Sequence, residues 1–353
     1  MTPELGVIEG YFGRPWRHAE RRGVLARLPE LGYSFFHYAP KADAFLRRRW
    51  REPHPDAAAA ELADLSAHCR RVGLRFGIGP SPYELYRDPG PAPMAAFCAK
   101  VRALDDIGID DLAILFDDTR GDLPDLAARE TEIVHAALAQ TRAQRVLMCP
   151  TYYSDDAMLD IVFGARPVGY LEALGRRLDA RVGVYWTGEE ICARAFSPGH
   201  LARVADALRR RPTLWDNYPV NDGPRMSRFL HLRAFTGRPP AIAAHIAAHA
   251  VNPALQPLLS LIPAATLAAA YRQGDAYCYM QAFRDAARAL AGDALAGMLE
   301  ADLHALQDRG LDQLGDDRER LRRRYAALAH PVAAEVVRWL DGADTADGWL
   351  EAP

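Results

Sequence analysis

The feature that most limits how this chain can fold is a rhythm. Eight short apolar runs of strand length, at residues 5–9, 33–38, 75–78, 112–116, 145–149, 181–185, 213–215 and 246–251, each stop at a polar or turn-forming segment. Helical spacing fills the gaps, clearest at 18–31, 56–72, 93–107, 130–142 and 198–210. Strictly alternating strand and helix signals build a parallel sheet, because each crossover helix returns the chain to the same edge. Eight such units over roughly 250 residues match the size of a (β/α)8 barrel. Past Asn252 the strand signal ends, and 277–307 and 316–328 are helix formers throughout. The expected fold class is therefore α/β: a TIM-type (β/α)8 barrel over residues 1–255, then an α-helical C-terminal segment, 256–353, packed on it.

Composition removes several functions. Half of the 353 residues are hydrophobic, enough for one large core, and the formal net charge is −3. That balance gives no electrostatic case for a nucleic acid or an anionic membrane as partner. Arginine triplets at Arg47-Arg48-Arg49, Arg209-Arg210-Arg211 and Arg322-Arg323-Arg324 read as solvated or ion-paired helix faces. Five scattered cysteines (Cys69, Cys98, Cys149, Cys192, Cys278) lack metal-ligand spacing and suit reduced thiols, hence a cytoplasmic setting. The start, M-T-P-E-L-G-V-I-E-G, has no basic segment leading into a long apolar core, so no signal peptide is expected.

One strand ends unlike the others. The apolar run 112–116 passes directly into Asp117-Asp118, whereas Asp105-Asp106, Asp155-Asp156 and Asp316-Asp317 follow no such run and read as solvated pairs. In a barrel, all C-terminal strand ends face one mouth. Besides the acid pair, that mouth should collect Glu9, Gly10, Tyr11, Lys41, Asp43, Tyr153, Trp186, Thr187, Trp215, Asn217, Asp222 and Asn252. Aromatics, amides and acids with a single lysine suit a neutral ligand rich in hydroxyls, such as a sugar. A phosphate would call for a glycine-rich helix start, and a divalent metal for three or more converging ligands; neither pattern is present, so no cofactor and no metal are expected. Two carboxylates sharing a partly dry pocket resist ionising together, so one can serve as general acid while the other stays charged. Neighbours in sequence point in different directions, which disfavours the two-sided arrangement that an enzymic nucleophile needs. Taken singly, Trp215 reads as a core filler, Asn217, Asp222 and Asn252 as turn residues, Lys41 as a surface lysine and Gly10 as a backbone requirement.

Taken together and in order, the motifs Gly6-Val7-Ile8-Glu9-Gly10-Tyr11-Phe12-Gly13-Arg14-Pro15-Trp16, Tyr38-Ala39-Pro40-Lys41, Phe116-Asp117-Asp118, Trp186-Thr187-Gly188 and Trp215-Asp216-Asn217-Tyr218-Pro219-Val220-Asn221-Asp222 resemble glycoside hydrolase family 84. This is the family of β-N-acetylglucosaminidases that includes the protein O-GlcNAcases. The resemblance implies a retaining mechanism in which the sugar's own 2-acetamido oxygen attacks the anomeric carbon to give an oxazoline. By position, it implies that Asp117 orients the acetamido N–H and that Asp118 is the general acid/base. Gly10 and Lys41 then meet sugar hydroxyls, and Tyr153 and Asn217 meet the acetamido region. Trp215 walls that region, and Asp222 and Asn252 hold the far hydroxyls of a terminal sugar. Three places depart from the family pattern: Tyr11-Phe12 exchanges two aromatics, Ala42-Asp43 replaces an acidic pair, and Ile78-Gly79-Pro80-Ser81-Pro82 replaces I-S-P-G.

The expected function is an exo-acting hydrolase of terminal β-linked GlcNAc on a glycoconjugate, O-GlcNAc-modified protein included. The alternatives are an endo-acting hyaluronidase and a catalytically silent glycan- or glycopeptide-binding barrel. The apolar helical tail offers a surface for a homodimer.

Overall fold

A computed structural model describes residues 2–345. Eight parallel strands close on themselves: β1 (Glu4–Glu9), β2 (Tyr33–Tyr38), β3 (Arg75–Ile78), β4 (Asp111–Leu115), β5 (Arg145–Cys149), β6 (Val182–Trp186), β7 (Thr213–Asp216) and β8 (Ala248–Val251). The circle shuts where Glu4–Val7 of β1 pair with Ala248–Val251 of β8. Closure removes every open sheet edge, and the helices on the outside cover apolar strand faces that water would otherwise meet.

The helix Asp56–Val72 shows how the crossovers are written locally. Its alanine-rich first turns carry little entropic cost, Leu62, Leu65 and Cys69 form one buried stripe, and Gly73 ends it at φ 83°. Inside the barrel, Gly77 leaves space for the His37 imidazole; a Cβ there would lie 2.5 Å from the ring.

Two apolar clusters are present. The larger joins the barrel to its surrounding helices and includes Leu261, Leu267 and Tyr271 of the helix Leu261–Gln273. The second lies among the C-terminal helices and gathers Leu299, Leu303, Tyr325, Val336 and Trp339 with Leu230 and Leu232. The 277–307 region is not one rod. Gly292 (φ 75°, ψ 167°) breaks the helical run Tyr279–Leu303, and Arg284 meets Glu300 at 2.6 Å. Sixteen residues of straight helix would hold those side chains about 24 Å apart, so the chain doubles back at the glycine. The tail grips the loops behind β7 and β8. Glu335 accepts the backbone N–H groups of Leu258 and Leu259 at 3.0 and 2.9 Å, and Trp339 Nε1 donates to Ser227 O at 3.0 Å.

Candidate active site

The strand ends surround a small hollow of about 170 Å³ that opens to solvent. All nine residues singled out from the sequence line it: Gly10, Lys41, Asp117, Asp118, Tyr153, Trp215, Asn217, Asp222 and Asn252.

β4 is buried along its whole length, and the Phe116 N–H reaches Cys149 O at 2.9 Å, extending the ladder to the threshold of the acids. Asp118 then adopts φ 61°, a left-handed backbone that a non-glycine residue holds only at a cost of about 1–3 kcal/mol. The Thr119 hydroxyl clamps this turn by donating to Phe116 O at 2.6 Å. The result brings both carboxylates to one cation. Lys41 Nζ is hydrogen-bonded to Asp117 Oδ2 and stands 3.2 Å from Asp118 Oδ2. Asp117 is buried and its second oxygen, Oδ1, has no partner among the described residues. Asp118 is more open, with 23% of its side chain exposed.

Electrostatics divide these groups. Burial is the largest influence on Asp117; Lys41 opposes it, Asp118 reinforces it, and the net proton affinity is raised above the ordinary carboxylate range. Burial pulls Lys41 down, but Asp117 and Asp118 outweigh it, so the ammonium is held more firmly than usual. Asp222 is pushed up to about 6, chiefly by burial, although the Phe12 N–H donates to its Oδ2 at 2.8 Å. Burial, then the charges of Asp118 and Asp117, raise the Tyr153 phenol well above its usual value, keeping it a donor at neutral pH.

On the far wall, Asn217 Oδ1 accepts from Trp215 Nε1 at 3.0 Å and from Asn252 Nδ2 at 2.9 Å, while its Nδ2 donates to Ile191 O at 2.8 Å. Asn252 Oδ1 accepts the Gly10 N–H at 3.2 Å, so one chain of bonds ties β7, β8 and β1 together. Gly10 has to be glycine: a Cβ would sit 2.2 Å from the Trp215 ring.

Beneath the acids lies a second set of groups that sequence reasoning missed. Glu130, fully buried on the helix Leu126–Gln140, accepts from the Thr151 N–H at 3.1 Å, from the Thr151 hydroxyl at 2.7 Å and from the Tyr170 hydroxyl. Thr151 Oγ1 is also 3.0 Å from Thr119 Oγ1. Glu130 thus links the turn after β4, which carries Asp118, to the turn after β5, which carries Tyr153. Burial drives its carboxyl up to about 7 against the hydrogen bonds of Tyr170 and Thr151. Its only trace in the sequence is an acid inside an otherwise buried helix stripe.

Some mouth assignments require correction. Trp186 is buried and donates to His200 Nε2 at 3.0 Å, outside the barrel wall. Glu9 turns outward to Arg21, with bonds of 2.7 and 2.8 Å, and Tyr11 donates to Glu9 and accepts from the Trp16 N–H. Asp43 is occupied by the Tyr38 hydroxyl and His54. For Glu9 and Trp186 the cause is strand alternation, which sends every second side chain toward the helices. Tyr11 and Asp43 lie in the loops after β1 and β2, where the turn sets side-chain direction. Thr187 lines the hollow as expected, and Phe12, Cys149, Ile191, Cys192 and Val220 line it without any sequence signal having placed them at the mouth. Cys149 closes a strand whose limits were legible; Ile191 and Cys192 sit in a loop with no local signal. The Arg47-Arg48-Arg49 triplet lies in turns after β2, not on a helix. Among the described residues, no three His, Cys, Asp or Glu side chains are grouped to hold a metal ion, and no helix is long and apolar enough to cross a membrane.

Comparison with known proteins agrees with this geometry. The family model described as beta-N-acetylglucosaminidase matches residues 5–307. The protein O-GlcNAcases of Rattus norvegicus and Mus musculus are each 27% identical over 237 residues, which is 64% of this chain but 25% of theirs. The chain thus matches about a quarter of the length of these curated relatives. A solved structure of a mutant O-GlcNAc hydrolase from Thermobaculum terrenum superposes with a TM-score of 0.78 at 25% identity, covering 96% of this chain and 81% of that one. With a barrel whose mouth joins an acid pair, a lysine and a Trp–Asn–Asp wall, and with a family match over most of its length, this chain belongs to the β-N-acetylglucosaminidase family of glycoside hydrolases, family 84.

Proposed function

We propose that this chain is a retaining exo-β-N-acetylglucosaminidase of the O-GlcNAcase type that works by substrate-assisted catalysis. The observation that carries the reading is the state of Asp117. One oxygen is fixed by Lys41, and the other is a buried acceptor without a donor among the described residues, beside a more open acid, in a hollow lined by aromatics, amides and acids. An unsatisfied buried acceptor costs about 1–3 kcal/mol, and the N–H of a 2-acetamido group would relieve that cost on binding.

The steps follow from the placement. Asp117 Oδ1 accepts the acetamido N–H, which concentrates negative charge on the carbonyl oxygen and aims it at the anomeric carbon. The Tyr153 hydroxyl and the Trp215 face hold that group in place. With Asp117 held ionised by Lys41 and the bound N–H, the proton of the pair resides on Asp118. Asp118 gives it to the glycosidic oxygen as the carbonyl oxygen forms the new C–O bond, and the aglycone leaves as an alcohol. The oxazoline then opens when Asp118, now a carboxylate, takes a proton from the water attacking the same carbon, which retains the anomeric configuration. Asp222 and Asn252 bind the far hydroxyls and close that side to a continuing chain, which favours exo action. Gly10 and Lys41 meet the remaining hydroxyls.

The natural substrate is then a glycoconjugate with terminal β-GlcNAc, including O-GlcNAc on protein serine or threonine. The five cysteines are all unpaired, which supports a reducing, cytoplasmic setting. A homodimer through the helices after residue 255, treated as a unit packed on the barrel, completes the proposal. The deciding experiment compares a fluorogenic aryl β-GlcNAc with the β-glucoside that lacks the acetamido group. Turnover of the first alone is expected; comparable turnover of both would overturn the mechanism, and turnover of neither would overturn the activity.

A further inference from the structure

The loop after β2 carries Arg47, Arg48, Arg49 and Arg51 in consecutive turns. Arg49 pairs with Glu52 at the surface. Arg47 is different. It is only 5% exposed, and its guanidinium lies 5.7 Å from the centre of the Phe12 ring and 5.5 Å from that of Tyr83. It makes no ion pair and no side-chain hydrogen bond with any described residue. Ring faces answer its charge, but they leave its five planar N–H donors without acceptors. None of those nitrogens is among the sealed, unpartnered side-chain atoms, so the donors face accessible space.

The nearby acids are already committed. Asp43 accepts from the Tyr38 hydroxyl, the Phe45 N–H and His54, position 42 is alanine, and Asp117 and Asp118 share Lys41. Arg47 nevertheless belongs to the field of the site. It lowers the proton affinity of both Asp117 and Lys41, and the Phe12 ring beneath it lines the hollow. Its second ring, Tyr83, follows β3, the strand next to β4 and its acid Asp118. This sector of the rim therefore meets the Asp222 wall through Phe12, whose N–H donates to that carboxylate, and reaches toward the acid side of the mouth through Tyr83.

We propose that Arg47 is a specificity residue that recognises a carboxylate on the aglycone, supplied by an aspartate or glutamate flanking the glycosylated serine or threonine of a peptide. A planar guanidinium without a protein acceptor among the described residues is suited to a two-point contact with a carboxylate. Arg47 does not itself line the hollow, so its anion lies beyond the sugar's own contacts, where a flanking side chain reaches. This inference rests on the β-GlcNAc reading above.

The test uses two glycopeptides with one β-GlcNAc on serine, identical except for glutamate or glutamine next to that serine. At low ionic strength the unaltered protein should favour the glutamate peptide in kcat/KM by about tenfold, mostly through KM. Arg47→Met, which keeps the apolar stem, should bring the ratio to about one. Arg47→Lys, a point charge without the planar fork, should keep part of the preference. The ratio is read within one protein, so a partly unfolded variant lowers both rates alike. A ratio near one in the unaltered protein, or a full preference surviving in Arg47→Met, would overturn the assignment. So would a preference confined to GlcNAc linked directly to a uronic acid rather than to peptide. Inactivity toward both peptides and toward a neutral aryl β-GlcNAc would instead sink the underlying activity.

Discussion

The two ends of the barrel hold similar kinds of charge and treat them in opposite ways. At the N-terminal end of the strands, Glu4 accepts from Arg75 and Arg145 at 2.5 and 2.7 Å, and Arg75 also reaches Asp111. Asp111 meets His37 Nε2 at 3.0 Å, and His37 Nδ1 meets the Tyr185 hydroxyl at 2.5 Å. Each of these charges has a partner. At the other end, among the described residues, Asp117 has an oxygen with no partner and Arg47 has no acceptor for its side-chain donors, while Asp118 sits on left-handed backbone. Unsatisfied groups cost stability, and a fold retains them where a ligand will complete them. The contrast supports the mouth as the working end on grounds separate from any family comparison, and substitutions at the two ends should separate activity from stability.

The largest effect is expected at the acids. Asp118→Ala should slow an aryl β-GlcNAc by about 10³-fold, with partial recovery for a very good leaving group or with added azide. Its melting temperature should not fall, because the change removes like-charge repulsion with Asp117. Asp117→Asn should cost about 10²–10³-fold, since an amide can present an N–H where the acetamido group needs an acceptor. Full activity in either variant, measured at saturating substrate, would break the link between unsatisfied groups and function. Gly10→Ala comes next. Its methyl would collide with Trp215, displacing the wall that carries Asn217, and kcat/KM should drop by roughly 10²-fold. An unchanged KM and kcat would show that this wall does not hold the sugar.

How far the sequence alone leads differs between these layers. Strand positions were legible because buried parallel strands are apolar runs with abrupt ends; 75–78 and 145–149 coincide with β3 and β5. Lining residues at strand ends were legible where a motif marked them, as with Asp117 or Asn217. Two kinds of information were not. Side-chain direction near a strand end depends on pleat and turn geometry, which is why Glu9 and Trp186 were placed at the mouth although they face the helices. Long-range partners leave no local mark either: Glu130 and Thr151 are 21 positions apart, and the break at Gly292 lies in a run whose other residues all favour helix.

The smallest effect is a difference in the sign of a pH dependence, and it sharpens the contrast most. Asp111 is pushed up by burial, but His37 and Arg75 outweigh this and hold it below the ordinary range. A depressed carboxyl contributes stability above its unfolded pKa of about 3.9 and loses it as pH falls through the folded value. Glu130 is the reverse. With its carboxyl at about 7 in the fold, the native state binds more protons than the unfolded chain between about pH 4.5 and 7, so stability falls as pH rises across that window. Glu130→Gln should therefore flatten the pH dependence of unfolding between pH 4.5 and 7, by roughly 3 kcal/mol at most. It should also lower kcat a few-fold, because the turns carrying Asp118 and Tyr153 lose a common anchor. Asp111→Asn should instead cost about 2 kcal/mol at neutral pH and progressively less below pH 4, with catalysis in the remaining folded protein intact. Urea titrations of both variants across pH 3–8 check the signs. If Asp111→Asn impaired turnover while Glu130→Gln left both turnover and the slope untouched, the division between a neutralised end and a working end would be lost.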